Sequence, residues 1–195
     1  MGVKNVVSII LKIVVKILLL KRKERGDYVL EPAIKYKEQL EKAQYGIWFD
    51  DKYKYWNCDV YYDTLQINTD SWNKHQFVSV VNGEVIGYIA YNVSRADNSA
   101  NTLSIMNFSD NKAAFGMDLG RALRDIFEKY KFRKLNFTVV VGNPIEKSYD
   151  KMIKKYGGRI VGTYKEHVKL VDGEYYDCKI YEIFVDEYFS SIKSH

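Results

Sequence analysis

Residues 113–127 read AAFGMDLGRALRDIF, and Gly116 and Gly120 stand where a helix is about to begin. Glycine weakens a helix, so two of them at an entrance point to something that comes very close to the backbone. The first amides of a helix have no partner within it and favour an anion. Other chemistry-bearing types are sparse. Cys58 and Cys178 are far apart and lack metal-ligand spacing, and His75, His167 and His195 form no HxxxH pair. No metal ligands are expected from this pattern, and two cysteines do not make a disulfide framework.

The bulk numbers narrow the classes. The chain has 195 residues, 47% hydrophobic and 28% charged, which suits one globular domain with a real core. A net charge of +5 permits an anionic partner such as a phosphate-bearing cofactor. The lysines are spread among acids along the chain, so no nucleic-acid partner is expected.

Residues 1–24 form a hydrophobic and basic extension ahead of a domain expected over 25–195. Residues 6–20, VVSIILKIVVKILLL, are 15 in number, short of the roughly 20 needed to span a bilayer. Lys4, Ser8, Lys12 and Lys16 recur every four residues and would make one polar stripe on an apolar helix. Such a helix suits either peripheral membrane contact through residues 1–25 or docking on the domain's own core. The expected location is cytoplasmic, with attachment to the inner face of a membrane as the variant.

From Tyr28 onward, helices and strands alternate. A short strand leads to a helix from Pro32 to about Ala43, stopped near Gly46. Residues 47–74 read as short helical turns and loops. Asn82-Gly83 between β-rich runs marks a hairpin, and TLSIMNFS (102–109) is a third strand. A long helix is expected over 116–131, with Leu119, Leu123, Ile126, Phe127 and Tyr130 on one face. KLNFTVVVGN (134–143) is a strand with a nearly continuous apolar run, which suggests burial on both faces. A helix follows from Asn143-Pro144 to Tyr156, closed by Gly157-Gly158. A second hairpin turns at Asp172-Gly173.

This order, with Phe115-Gly116-Met117-Asp118-Leu119-Gly120 before a helix, resembles the GCN5-related N-acetyltransferase (GNAT) family. In that family a basic residue and glycines form a pyrophosphate loop. The closing segment, GNPIEKSYDKMIKKYGGRIVGTYKEHVKLVDGEYYDCKIYEI (142–183), is similar to the branch that acetylates ribosomal-protein N-termini and polyamines. The likeness spans about residues 28–190. It implies an α+β fold, a central mixed and mostly antiparallel sheet flanked by helices, behind the extra N-terminal hydrophobic segment.

The resemblance implies transfer of an acetyl group from acetyl-CoA to a primary amine, by a monomer or homodimer. It places the cofactor against Asn107, Phe108, Phe115, Gly116, Met117, Asp118, Leu119, Gly120, Arg121 and Asn143. Phe115 stands in the family's basic position and Asp118 in that of its first glycine. Tyr149 is the candidate acid. Glu84 and His167, with Glu31 and Asp50, are alternatives for the base. The competing class is a GNAT-shaped binding or adaptor domain without catalysis.

Overall fold

The structure, a computed structural model, describes residues 29–193 apart from 49 and 57–64. The expectations for residues 1–25 lie outside that range. Its frame is a seven-stranded sheet in the order β1-β2-β3-β4-β5-β7-β6. The strands are β1 (Val29–Pro32), β2 (Lys74–Val81), β3 (Glu84–Ser94), β4 (Ser99–Asn107), β5 (Lys134–Val140), β6 (Arg159–Lys169) and β7 (Tyr175–Phe184). Among the described residues four α-helices flank it: α1 (Lys37–Tyr45), α2 (Lys112–Glu128), α3 (Glu146–Lys155) and α4 (Val185–Lys193).

Local chemistry accounts for the hairpins. Asn82 and Gly83 both take positive φ, 53° and 86°, as a tight turn between right-twisted strands requires. Gly173 does the same at 85° between β6 and β7. Pro32 closes β1, pairing with Phe77, and a 3-10 turn (Ala33–Tyr36) leads into α1. α4, which was not among the expected elements, follows from Val185, Tyr188, Phe189 and Ile192 at helical intervals.

The sheet's two faces bury different sets. On one, α1 and the 3-10 turn cover Val78, Val80, Tyr88, Ala90 and Met106 through Ala33 and Leu40. On the other, α2, α3 and α4 supply Leu123, Ile126, Phe127, Tyr149, Ile153 and Tyr188 against Leu135, Phe137, Tyr181 and Ile183. That assignment follows from strand alternation, since Leu135, Phe137 and Val139 all point one way from β5. Among the described residues, no helix is long and apolar enough to cross a membrane.

Every neighbouring strand pair is antiparallel except β4 and β5, joined through α2. That exception positions the site.

Candidate functional site

β4 and β5 pair in parallel over only three positions, Ser99, Ala100 and Asn101 with Lys134, Leu135 and Asn136. β4 then runs on to Asn107 and β5 to Val140 without pairing each other, so the strands part. The parting begins at an irregularity. Ala90 to Asn92 on β3 faces Ser104 to Asn101 on β4, so β4 carries one extra residue, and Thr102 there has φ 54°.

The backbone of the gap can be read from the ladders. Phe108 donates to the Ile86 carbonyl at 2.8 Å, which makes Phe108 and Ile86 a bonded pair. By alternation, Ile105 and Asn107 then direct N–H and C=O away from β3 and into the gap. Across it, Val141 donates to Asp177 at 2.9 Å, so Thr138 and Val140 face the gap from β5. The Val140 carbonyl accepts from the Asn143 amide at 3.0 Å.

The end of β4 leads straight to the N-terminus of α2. Asn111 caps it, accepting from the Ala114 amide at 3.2 Å through its side chain. The helix thus starts at Lys112, four residues before the expected 116. Gly116 and Gly120 are one and two turns inside it, not at its entrance. A Cβ on either would meet nothing within 4 Å.

The six residues expected as a loop are instead divided by the helix. Gly116, Met117 and Arg121 face outward and Gly120 is half-exposed. Phe115 and Asp118 are buried, and Leu119 is half-buried in the core. Their side chains therefore point into the core, away from a pyrophosphate at the helix surface. The Phe115 ring lies over β3, where a Cβ on Gly87 would come within 2.3 Å of it. The close approach that requires glycine is here, at Gly87. Asp118 accepts a hydrogen bond from the Ser79 hydroxyl on β2 at 2.5 Å, and burial raises its pKa above the ordinary value.

Tyr149 sits on α3, buried edge-on to Phe137 at 5.2 Å and Tyr181 at 6.2 Å. Burial pushes its phenol well up, so it stays protonated through neutral pH. The next residue, Asp150, accepts from the Tyr181 hydroxyl at 2.6 Å and pairs with Lys179, which also pairs with Glu146. Asn143 spends its side-chain oxygen on the Ile145 amide at 3.1 Å, closing the turn into α3.

The structure does not bring the base candidates together. Glu84 is exposed at the β2–β3 turn, and His167 is exposed on β6, stacked on Tyr164 at 4.6 Å. β4, β5 and β7 lie between their strands, so at least four spacings, more than roughly 19 Å, separate them. Glu31 is paired with Lys35 at 2.8 Å. Asp50 caps a 3-10 turn (Asp51–Tyr53), accepting from the Lys52 amide at 2.9 Å.

Short turns were expected over 47–74, but what this one touches was not signalled by the sequence. The Tyr53 hydroxyl donates to the Asn107 carbonyl at 3.0 Å, across 54 positions of sequence. No periodicity reports a contact of that range.

No family model and no curated protein matches the chain. Solved structures do. A chimera of the spermidine N-acetyltransferase SpeG from Vibrio cholerae and hSSAT superposes with a TM-score of 0.61 at 16% identity, over 84% of this chain and 98% of that one. The fold is that of the GNAT acetyltransferases. The spermidine/spermine N-acetyltransferase SpeG from Vibrio cholerae gives 0.52 at 21% identity, over 62% of this chain and 70% of that. A probable acetyltransferase gives 0.50 at 16% identity over 60% of this chain, and the match spans 64% of that protein's length. In this chain the site's two halves make one arrangement: strands that part, and a helix N-terminus directly after one of them.

Proposed function

We propose that the protein is an acyl-CoA-dependent N-acetyltransferase that moves an acetyl group from acetyl-CoA to a primary amine. One observation carries the reading: the β4 edge at Ile105 and Asn107, which no strand pairs, opens beside the capped N-terminus of α2. An extended arm bearing amides can add to that edge as a strand would, while its phosphates meet the first-turn amides of the helix.

In this reading the phosphates meet the exposed start of α2 at Lys112 and Ala113, beside the Ala114 amide that the Asn111 cap already occupies, with the helix dipole behind them, and the outward Gly116 leaves room for close approach. Arg121 lies on the same exposed helix and adds positive charge. Ile105 and Asn107 align the arm in the gap, and a gap-facing amide polarises the acetyl carbonyl. Acetyl-CoA supplies a thioester: the amine nitrogen bonds the acetyl carbon, the carbon–sulfur bond breaks, and the thiolate takes up a proton. Tyr149, kept protonated by burial, is the proton donor in this scheme. Glu84 and His167 remain alternatives for taking the ammonium proton, and their separation means that at most one of them serves a given acceptor position.

Isothermal titration with acetyl-CoA, followed by thiol release in the presence of primary amines, tests the reading. Binding and amine-dependent release of one thiol per acetyl group transferred are expected. Absence of both sinks the enzyme.

A further inference from the structure

We propose that residues 50–56 are a strap across the mouth of the β4–β5 gap and that Tyr53 is its latch, released when an acyl-CoA arm enters. This rests on the acyl-CoA reading above.

The strap is tied to both rims. On the β4 side, Tyr53 donates to the Asn107 carbonyl at 3.0 Å, and Lys52 reaches Asp110, in the turn before α2, at 3.5 Å. On the other side, Lys54 pairs with Asp172 of the β6–β7 turn at 3.6 Å and lies over the Tyr176 ring at 5.7 Å. Tyr55 packs edge-on against Tyr176 at 6.3 Å. Its hydroxyl would lie 3.5 Å from a Cβ on Gly142, in the turn after β5. One short segment therefore touches the ends of β4, β5 and the β6–β7 hairpin.

Asn107 gives the latch its meaning. Its carbonyl faces the gap, and an arm lying along β4 as an added strand would donate an amide to it. The Tyr53 phenol already supplies a donor there, so the strap's hydrogen bond and the arm's compete for one acceptor. Lys52–Asp110 and Lys54–Asp172 are exposed or half-exposed pairs, which hold weakly in water. Tyr53 and Trp56 are half-buried against the Leu40 and Tyr88 cluster, so the closed strap has an apolar seat. Losing one hydrogen bond and two weak pairs is within reach of a ligand that replaces the bond.

The test compares the wild-type chain with Tyr53→Phe, which keeps the ring and its packing and deletes the latch. Acetyl-CoA affinity is measured by isothermal titration. Tryptophan fluorescence is followed in a chain whose Trp48 and Trp72 are replaced by Phe, so that Trp56 reports the strap. Tyr53→Phe should bind acetyl-CoA about fivefold tighter, the gain from removing one competing hydrogen bond. Trp56 emission should change on binding. Equal or weaker binding by Tyr53→Phe overturns the latch while leaving the acyl-CoA reading standing, and an unchanged Trp56 signal does the same. Binding by Tyr53→Phe alone supports the latch strongly. If neither protein takes up acetyl-CoA, the acyl-CoA reading falls and the latch falls with it.

Discussion

The Ser79 hydroxyl on β2 donates to the Asp118 carboxylate on α2 across 2.5 Å, and both residues are buried. This bond anchors the helix to the sheet one turn and a half past its N-terminus. It also fixes which way the first two turns face. Asp118 inward means Gly116 and Met117 outward, because a helix turns about 100° per residue.

Asp118 should make stability depend on pH. Burial raises its pKa from 3.8, while Ser79 and Arg121 pull the other way. The folded protein therefore holds this proton more tightly than the unfolded chain. The stability that comes from the neutral form is complete below 3.8 and is lost as pH rises through the raised value. Asp118→Asn, uncharged and similar in shape, should remove that loss. Urea midpoints at acid and neutral pH check this: relative to wild type, the variant should do better at neutral pH than in acid. Ser79→Ala leaves the carboxylate without its donor and should cost about 1–3 kcal/mol.

Two kinds of glycine should respond in opposite ways to alanine. At Gly87 the new methyl would stand 2.3 Å from the Phe115 ring and 2.8 Å from the Met106 carbonyl. Gly87→Ala should destabilise by about 1–3 kcal/mol or more. At Gly116 and Gly120 a methyl meets nothing, and each alanine should stabilise by roughly 0.5–1 kcal/mol. Thermal melts read all three. Gly116→Ala should also weaken acetyl-CoA binding, since Gly116 is the nearer to the helix entrance, and Gly120→Ala should leave it unchanged.

His75 sets a second pH window. It is buried on β2, with Nδ1 2.9 Å from the Tyr91 hydroxyl and its ring against Tyr130 and Phe132. Burial, with the charges of Arg95 and Lys129, lowers its pKa from 6.5 to about 4. As pH falls the unfolded chain takes the proton first, so stability is lost between 6.5 and about 4. Denaturation midpoints across that range should drop for wild type and stay flatter for His75→Gln, once the Asp118 contribution is matched.

Tyr149→Phe separates a proton donor from a core ring. The phenylalanine keeps the packing on Phe137 and Tyr181. Under the proposed mechanism kcat should fall by roughly 10²-fold with KM for acetyl-CoA little changed. A full-speed variant would make Tyr149 a packing residue only.

Much of the frame was legible one segment at a time. Asn82-Gly83 and Asp172-Gly173 announced their hairpins, and the 3-4-7 spacing of Leu119, Leu123 and Ile126 announced α2. The start of α2 differs from the expected 116, because the glycines there do not bound the helix. Asn111 supplies the cap five residues before Gly116, and packing of Phe115 and Asp118 outweighs the cost of about 1 kcal/mol that a glycine brings to a helix interior. The candidate site was legible in part. β4 and the helix after it were found, but Glu84 and His167 looked equivalent in sequence and lie on strands four spacings apart.

By itself, then, the sequence determined the elements whose causes are local: turn residues that tolerate positive φ, caps that satisfy nearby amides, and periodicities of two and 3.6. Only the tertiary structure decided where β4 and β5 part, which side of α2 meets the sheet, and that Tyr53 reaches Asn107. Those outcomes depend on contacts between residues tens of positions apart, and such contacts leave no mark in the spacing of either segment.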